Sequence, residues 1–117
     1  MYERHVLGKD GEDVVEKYLK NNGYKILEGN FECKQGEIDI IAKDKNELVF
    51  IEVKTRRTFT YGTPADSVTN TKQKHIYNTA KYYLYSRNLL DQFVRIDVIE
   101  VLVDKFGYTI NHIKQAF

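Results

Sequence analysis

Asp39, Glu52 and Lys54 are the side chains whose types and spacing admit chemistry. They lie in the stretch Gly36–Arg57, which reads as two strands joined by a tight turn. Ile38, Ile40 and Ala42 alternate with Glu37, Asp39 and Ile41, and Val49, Ile51 and Val53 alternate with Phe50, Glu52 and Lys54. A two-residue loop at Lys45-Asn46, or a four-residue loop from Asp44 to Glu47, gives one register. Ala42 then faces Val49, Ile40 faces Ile51 and Ile38 faces Val53 on an apolar side. On the other side Ile41 meets Phe50, Asp39 meets Glu52 and Glu37 meets Lys54. Carboxylates directly opposed on one sheet face repel, with Cβ atoms about 5 Å apart. Such a pair either holds a proton or holds a cation. Oxygen donors alone suit a hard ion, Mg²⁺ or Mn²⁺. Lys54 is placed to hold a water or to stabilise charge developing on a phosphate. The alternative is a half-exposed hairpin in which Glu37 and Lys54 pair and both acids point into solvent.

These residues have the D…(D/E)-x-K form of the PD-(D/E)xK nucleases. The fuller run resembles the YraN-type UPF0102 family, whose fold is similar to that of archaeal Holliday-junction resolvases. The resemblance rests on Gly8-Lys9-Asp10-Gly11-Glu12, Gly36-Glu37-Ile38-Asp39, Phe50-Ile51-Glu52-Val53-Lys54-Thr55-Arg56, Lys72-Gln73 and the ending Asn111–Phe117. Ile38 stands where the superfamily pattern has proline. The resemblance implies a metal-dependent endonuclease acting on DNA, with branched, junction or single-stranded regions as its targets and a homodimer as its working form. It implies Asp39, Glu52, the Val53 carbonyl and Glu12 as metal-binding groups, Lys54 as the catalytic lysine, and Gln73 as an auxiliary residue near the site. Other readings are a non-catalytic nucleic-acid-binding module on a nuclease fold, or a nuclease subunit that needs a partner.

The elements that must position these groups follow along the chain. Residues 5–22 form a first helix, with Val14, Val15, Tyr18 and Leu19 on one side and Gly23 as its C-cap. Asp10 or Asp13 suits its N-terminus if it begins there. Glu12 falls at the edge of the apolar arc, within reach of the hairpin. Residues 24–33 form a strand bent at Gly29-Asn30, completing a three-stranded meander. Residues 55–67 are a loop in which Arg56 and Arg57 can meet phosphates and Tyr61 can stack on a base; the same aromatics can instead cover the core edge. Asn70–Asn88 is a second helix capped by Thr69 or Asn70, with Ile76, Tyr77, Ala80, Tyr83 and Leu84 inward. Gln73 also faces inward, and Lys72 at the arc's edge can reach a phosphate. Lys74, His75, Tyr82 and Tyr85 mix basic and aromatic character on the opposite side, which fits nucleic-acid contact through Lys74 and stacking, or a protein partner. Phe93–Val103 reads as a central strand parallel to that carrying Glu52, where Asp97 either approaches the site or pairs with Arg95. Tyr108–Ile113 is the last strand. The expectation is a single α/β domain over residues 1–117, restriction-endonuclease-like and three-layered. Its mixed five-stranded sheet is flanked by helices in the order α-β-β-β-α-β-β.

Composition sets the outer limits. The chain has 117 residues, 42% hydrophobic, and no apolar run near the roughly 20 residues of a membrane helix. One cysteine, Cys33, and an N-terminus without an apolar leader point to a reducing, cytoplasmic setting. Net charge is +1, but residues 54–90 hold seven basic side chains against Asp66, a net +6. The remainder holds 11 basic and 16 acidic residues, a net −5. A basic segment beside clustered carboxylates fits a phosphate backbone, and equally a solvated helix face. His5, His75 and His112 are too scattered for a zinc site.

Overall fold

A computed structural model describes residues 2–57 and 68–117, with residues 2–10 and 57 described by their backbone alone. The element order is α1 (Tyr2–Asn21), β1 (Lys25–Cys33), β2 (Gly36–Asp44), β3 (Glu47–Arg57), α2 (Asn70–Ser86), β4 (Phe93–Asp104) and β5 (Gly107–Ile113). The strands form one open sheet in the order β1-β2-β3-β4-β5. β3 and β4 are parallel, and every other neighbouring pair is antiparallel. This is the mixed α/β arrangement expected from the alternating patterns.

α1 begins at Tyr2, so Asp10 and Asp13 fall inside the helix and cannot serve its N-terminus. It ends in a Schellman turn: Tyr24 N–H donates to Leu19 O, Gly23 N–H donates to Lys20 O, and Gly23 adopts φ +86°. α2 starts where Thr69 accepts from the Lys72 N–H. It closes by the same turn with Asn88 at φ +58° and Leu89 N–H donating to Leu84 O. Each helix covers one face of the sheet. Val15 and Leu19 of α1 pack on Ile40, Ala42, Val49, Ile51, Ile99 and Val101. Ile76, Ala80, Tyr83 and Leu84 of α2 pack on Phe31, Ile38, Ile41, Phe50, Ile96 and Val98. β4 is buried without interruption from Arg95 to Val101, as a strand covered on both faces must be.

The hairpin closes by the two-residue loop, Lys45-Asn46, with Asp44 paired to Glu47, Ala42 to Val49 and Ile40 to Ile51. The pairing stops at Ile40–Ile51, so the expected pairs Ile38–Val53, Asp39–Glu52 and Glu37–Lys54 are corrected. Ile38 does not share a side with Ile40; it belongs to the α2-side core, and Ile40 to the α1-side core. Strict alternation would place both on one face. The chain therefore turns over at Asp39, whose carboxylate Oδ2 accepts the Val53 N–H at 2.8 Å. β1 bends alongside, with Asn30 at φ +50° and a register shift between Ile26 and Glu28.

A buried polar network ties the layers together near the start of β3, beside the β2–β3 turn. Asp97, fully buried, accepts from Arg95 Nε (2.9 Å) and Nη2 (3.1 Å), from the Gln115 N–H (3.0 Å), and bonds His112 Nε2 (2.7 Å). His112 Nδ1 meets the Tyr18 hydroxyl of α1, and Arg95 reaches Tyr24, Asp44 and Glu47. Burial alone would raise the Asp97 carboxyl; the bonds from His112, Arg95 and Gln115 outweigh it and hold the group below the usual carboxylate value. Asp97 is thus a structural partner of Arg95. Replacing it by Ala takes the acceptor from His112 Nε2, the Gln115 N–H and two Arg95 donors at a buried point, although Arg95 keeps Asp44 and Glu47. Asp97→Ala is expected to lower unfolding free energy by about 3 kcal/mol in chemical denaturation.

Candidate active site

The site forms where β2 and β3 part, beyond the Ile40–Ile51 pair. Asp39 comes from the turned-over segment of β2. Glu52, in register with Val98, faces the α2 layer, and Lys54, in register with Glu100, follows on the same side. α1 contributes Glu12 and the first turn of α2 contributes Lys72. Glu12, Asp39, Glu52, Lys54 and Lys72 are thus gathered from four elements at one end of the sheet.

Two glycines make that approach possible. A Cβ on Gly11 would stand 2.1 Å from Thr55 Oγ1, so α1 can lie against β3 only with glycine there, one residue before Glu12. Gly36, at φ +149°, sets the start of β2 against α2, where a Cβ would lie 3.0 Å from Thr79 Oγ1. A glycine inside a helical pattern, as at Gly11, is the sequence signal of such close contact.

The electrostatics are those of crowded carboxylates. Burial and then the neighbouring Glu52 charge push the Asp39 carboxyl up to about 7, against the pull of the Val53 N–H; Glu12 and Glu37 add to the rise. Burial also raises Glu12, despite its hydrogen bond to Asn30. Two ammonium groups answer Glu52, which is nearly buried: Lys72 Nζ lies 2.7 Å from its Oε2 and Lys54 Nζ 3.6 Å from the same oxygen. Burial and the neighbouring Lys72 lower the Lys54 ammonium below its usual value. Lys72 is raised: burial is the largest single influence and lowers it, but the bond to Glu52, the contact with Lys54 and the Glu52 and Asp39 charges together outweigh it.

Other expected residues have different surroundings. Gln73 donates from Nε2 to the Val68 carbonyl at 3.0 Å, which anchors the entry to α2. Arg56 bonds through Nε to Glu100, a buried carboxylate beside the site that sequence reading missed. Lys74 is exposed on α2. Tyr61 and the Arg57 side chain lie outside the described residues. The direct Lys72–Glu52 pair was also missed. Its only signal was the place of Lys72 in the first turn of the helix that follows β3. Asn30, the partner of Glu12, was marked only as a bend.

The donors suit a hard divalent cation, being carboxylates of Asp39, Glu52 and Glu12 with the Val53 carbonyl between the strands. A cation would also offset the burial and the Glu52 repulsion that together raise Asp39. Among the described residues no three ligating side chains converge on one point. Asp39 is turned to the Val53 N–H and Glu52 to Lys72.

The raised Asp39 carboxyl fixes a sign for stability. Unfolded, the group ionises near 3.8; folded, near 7. Between those values the native chain holds more protons, so stability falls as pH rises through that window. Asp39→Asn keeps an acceptor for Val53 and removes the effect. Without divalent cation, the variant is expected to exceed the parent at pH 8 by about 1 kcal/mol or more, and to show a flatter pH profile in urea melts. Gly11→Ala is expected to displace α1 from β3 and to cost about 1–3 kcal/mol in the same melts.

The chain is similar to known proteins over most of its length. Residues 11–101 match the model of the Uncharacterised protein family UPF0102, a span that includes Glu12, Asp39, Glu52, Lys54 and Lys72. A UPF0102 protein of Clostridium botulinum strain Loch Maree is 50% identical over 114 residues, covering 95% of this chain and 93% of its own. A UPF0102 protein of Clostridium perfringens strain ATCC 13124 is 49% identical over 113 residues, with the same shares of both chains. On a matching family model and on relatives alike over nearly their whole length, this chain belongs to the UPF0102 family.

Proposed function

We propose that this protein is a divalent-metal-dependent endonuclease that hydrolyses DNA phosphodiester bonds, with branched or junction DNA as the favoured substrate. The observation that carries the reading is the Asp39–Glu52 pair. The fold holds two mutually repelling carboxylates together, one raised to about 7, with the Lys54 ammonium beside them. That arrangement costs stability, and clustered perturbed groups of this kind belong to functional sites. The form of the motif and the resolvase resemblance supply the substrate class.

Asp39, Glu52 and the Val53 carbonyl would hold the cation, and Glu12 would orient a water from the α1 side. A bound Mg²⁺ or Mn²⁺ supplies a polarised phosphate oxygen and a water of lowered pKa. Lys54 directs its ammonium toward the same place, where it can orient the attacking water and balance charge on the phosphate. Lys72 and the exposed Lys74 would face the nucleic-acid backbone from α2, with Arg57 and Tyr61 completing that side. The basic segment from residue 54 to 90 makes binding sensitive to salt. Two symmetric cuts across a junction require two sites, hence a homodimer. The lone cysteine, half-buried Cys33, suits a reducing cytoplasm. Among the described residues no helix is long and apolar enough to cross a membrane.

A second reading is a nuclease fold that binds nucleic acid without cutting it. It is favoured by the lack of three converging ligands among the described residues. Labelled duplex, single-stranded, flap and four-way-junction DNA, incubated with Mg²⁺, Mn²⁺ or EDTA, separates the two. The nuclease reading expects cutting that needs metal and falls by about 100-fold or more in both Glu52→Ala and Lys54→Ala. Cutting that survives EDTA and Glu52→Ala would contradict it. Salt-sensitive binding with no cutting in any metal would favour the second.

A further inference from the structure

Resting on the metal-site reading above, we propose that Lys72 is a built-in competitor for the metal: its ammonium holds Glu52 Oε2, and a divalent cation binds by displacing it. The contact is direct, 2.7 Å between Lys72 Nζ and Glu52 Oε2. Glu52 is nearly buried, so its charge needs a cationic partner at all times. Lys54 reaches the same oxygen only at 3.6 Å.

Of the two, Lys72 is the one built to leave. Its side chain is 43% exposed against 26% for Lys54, so it has an open path to water. It stands on a different element, in the first turn of α2, and can swing away without disturbing β3. A cation in that turn is also opposed by the helix dipole, and no acidic residue of the turn offsets this. The bond to Glu52 is therefore what keeps Lys72 at the site. Among the described residues Asp39 has no ammonium in direct contact: its Oδ2 is bonded to the Val53 N–H, and Lys72 acts on it only at longer range. The two carboxylates come to one cation only once Lys72 has let go of Glu52, which accounts for the lack of a preassembled three-ligand cluster among the described residues.

Competition has two consequences that a merely structural ion pair lacks. Removing the ammonium tightens metal binding, and adding metal frees the amine. Mn²⁺ affinity of the full chain, read from the EPR signal of free Mn²⁺, is expected to increase about tenfold or more in Lys72→Met, because an adjacent unit charge no longer opposes the ion. Lysine acylation followed by mass spectrometry reports the second consequence on the unaltered protein. With Ca²⁺ added, Lys72 is expected to react several-fold faster, while exposed Lys81 stays constant as the internal reference. Unchanged or weaker Mn²⁺ affinity in Lys72→Met overturns the proposal. So does Lys72 reactivity that ignores Ca²⁺ when the parent protein binds it, and that result would leave the nuclease reading intact. If the parent protein binds neither ion, the metal-site reading fails and this inference falls with it.

Discussion

Two carboxylates that repel each other are held together where β2 leaves β3, and the surrounding structure answers that repulsion. Asp39 keeps much of its proton near neutrality, its carboxyl pushed up to about 7. Glu52 takes two ammonium groups, from its own strand and from α2. The price is met away from the site, in apolar clusters packed on both faces of the sheet and in a polar network with no buried side-chain atom left unpartnered among the described residues. Concentrating strain at one end of a well-packed sheet is a common physical arrangement for a reactive centre.

The two ends of the sheet divide the work. Near the β2–β3 turn, Asp97 gathers Arg95, His112 and the Gln115 amide, and through them Tyr18, Tyr24, Asp44 and Glu47. Every charge there meets an opposite one, and the result is rigid. At the other end like charges adjoin, Asp39 beside Glu52 and Lys54 beside Lys72. The first network fixes β4 against α1 and the hairpin, and so fixes the frame on which the second is mounted. Gly11 lets α1 close on Thr55 at that end, which carries Glu12 within electrostatic range of Asp39.

Much of this was legible in the sequence. Alternation over Gly36–Arg57 gave the hairpin and its register as far as Ile40–Ile51, and the helical crossover between the strands gave the parallel β3–β4 pair. Asp39, Glu52 and Lys54 were singled out by alternation together with the D…(D/E)-x-K form, although the β2–β3 pairing that was to bring them opposite ends at Ile40–Ile51. The reading failed where regularity ended. Ile38 was assigned to the wrong face because a carboxylate capturing a backbone N–H turns the strand over, and no period-two pattern contains that event. Lys72 and Glu100 were missed as partners of Glu52 and Arg56 because those contacts join elements far apart in sequence. The start of α1 was placed late because residues before His5 carry no apolar period, although the helix extends to Tyr2.

The most direct test of the account is a crystal of the protein soaked in Mn²⁺, read by anomalous scattering. The account expects one peak per chain between Asp39, Glu52 and the Val53 carbonyl, at about 2.1 Å from their oxygens. It also expects the Lys72 side chain turned away from Glu52. No peak at saturating Mn²⁺, with Lys72 still bonded to Glu52, or a peak elsewhere in the molecule, would contradict it.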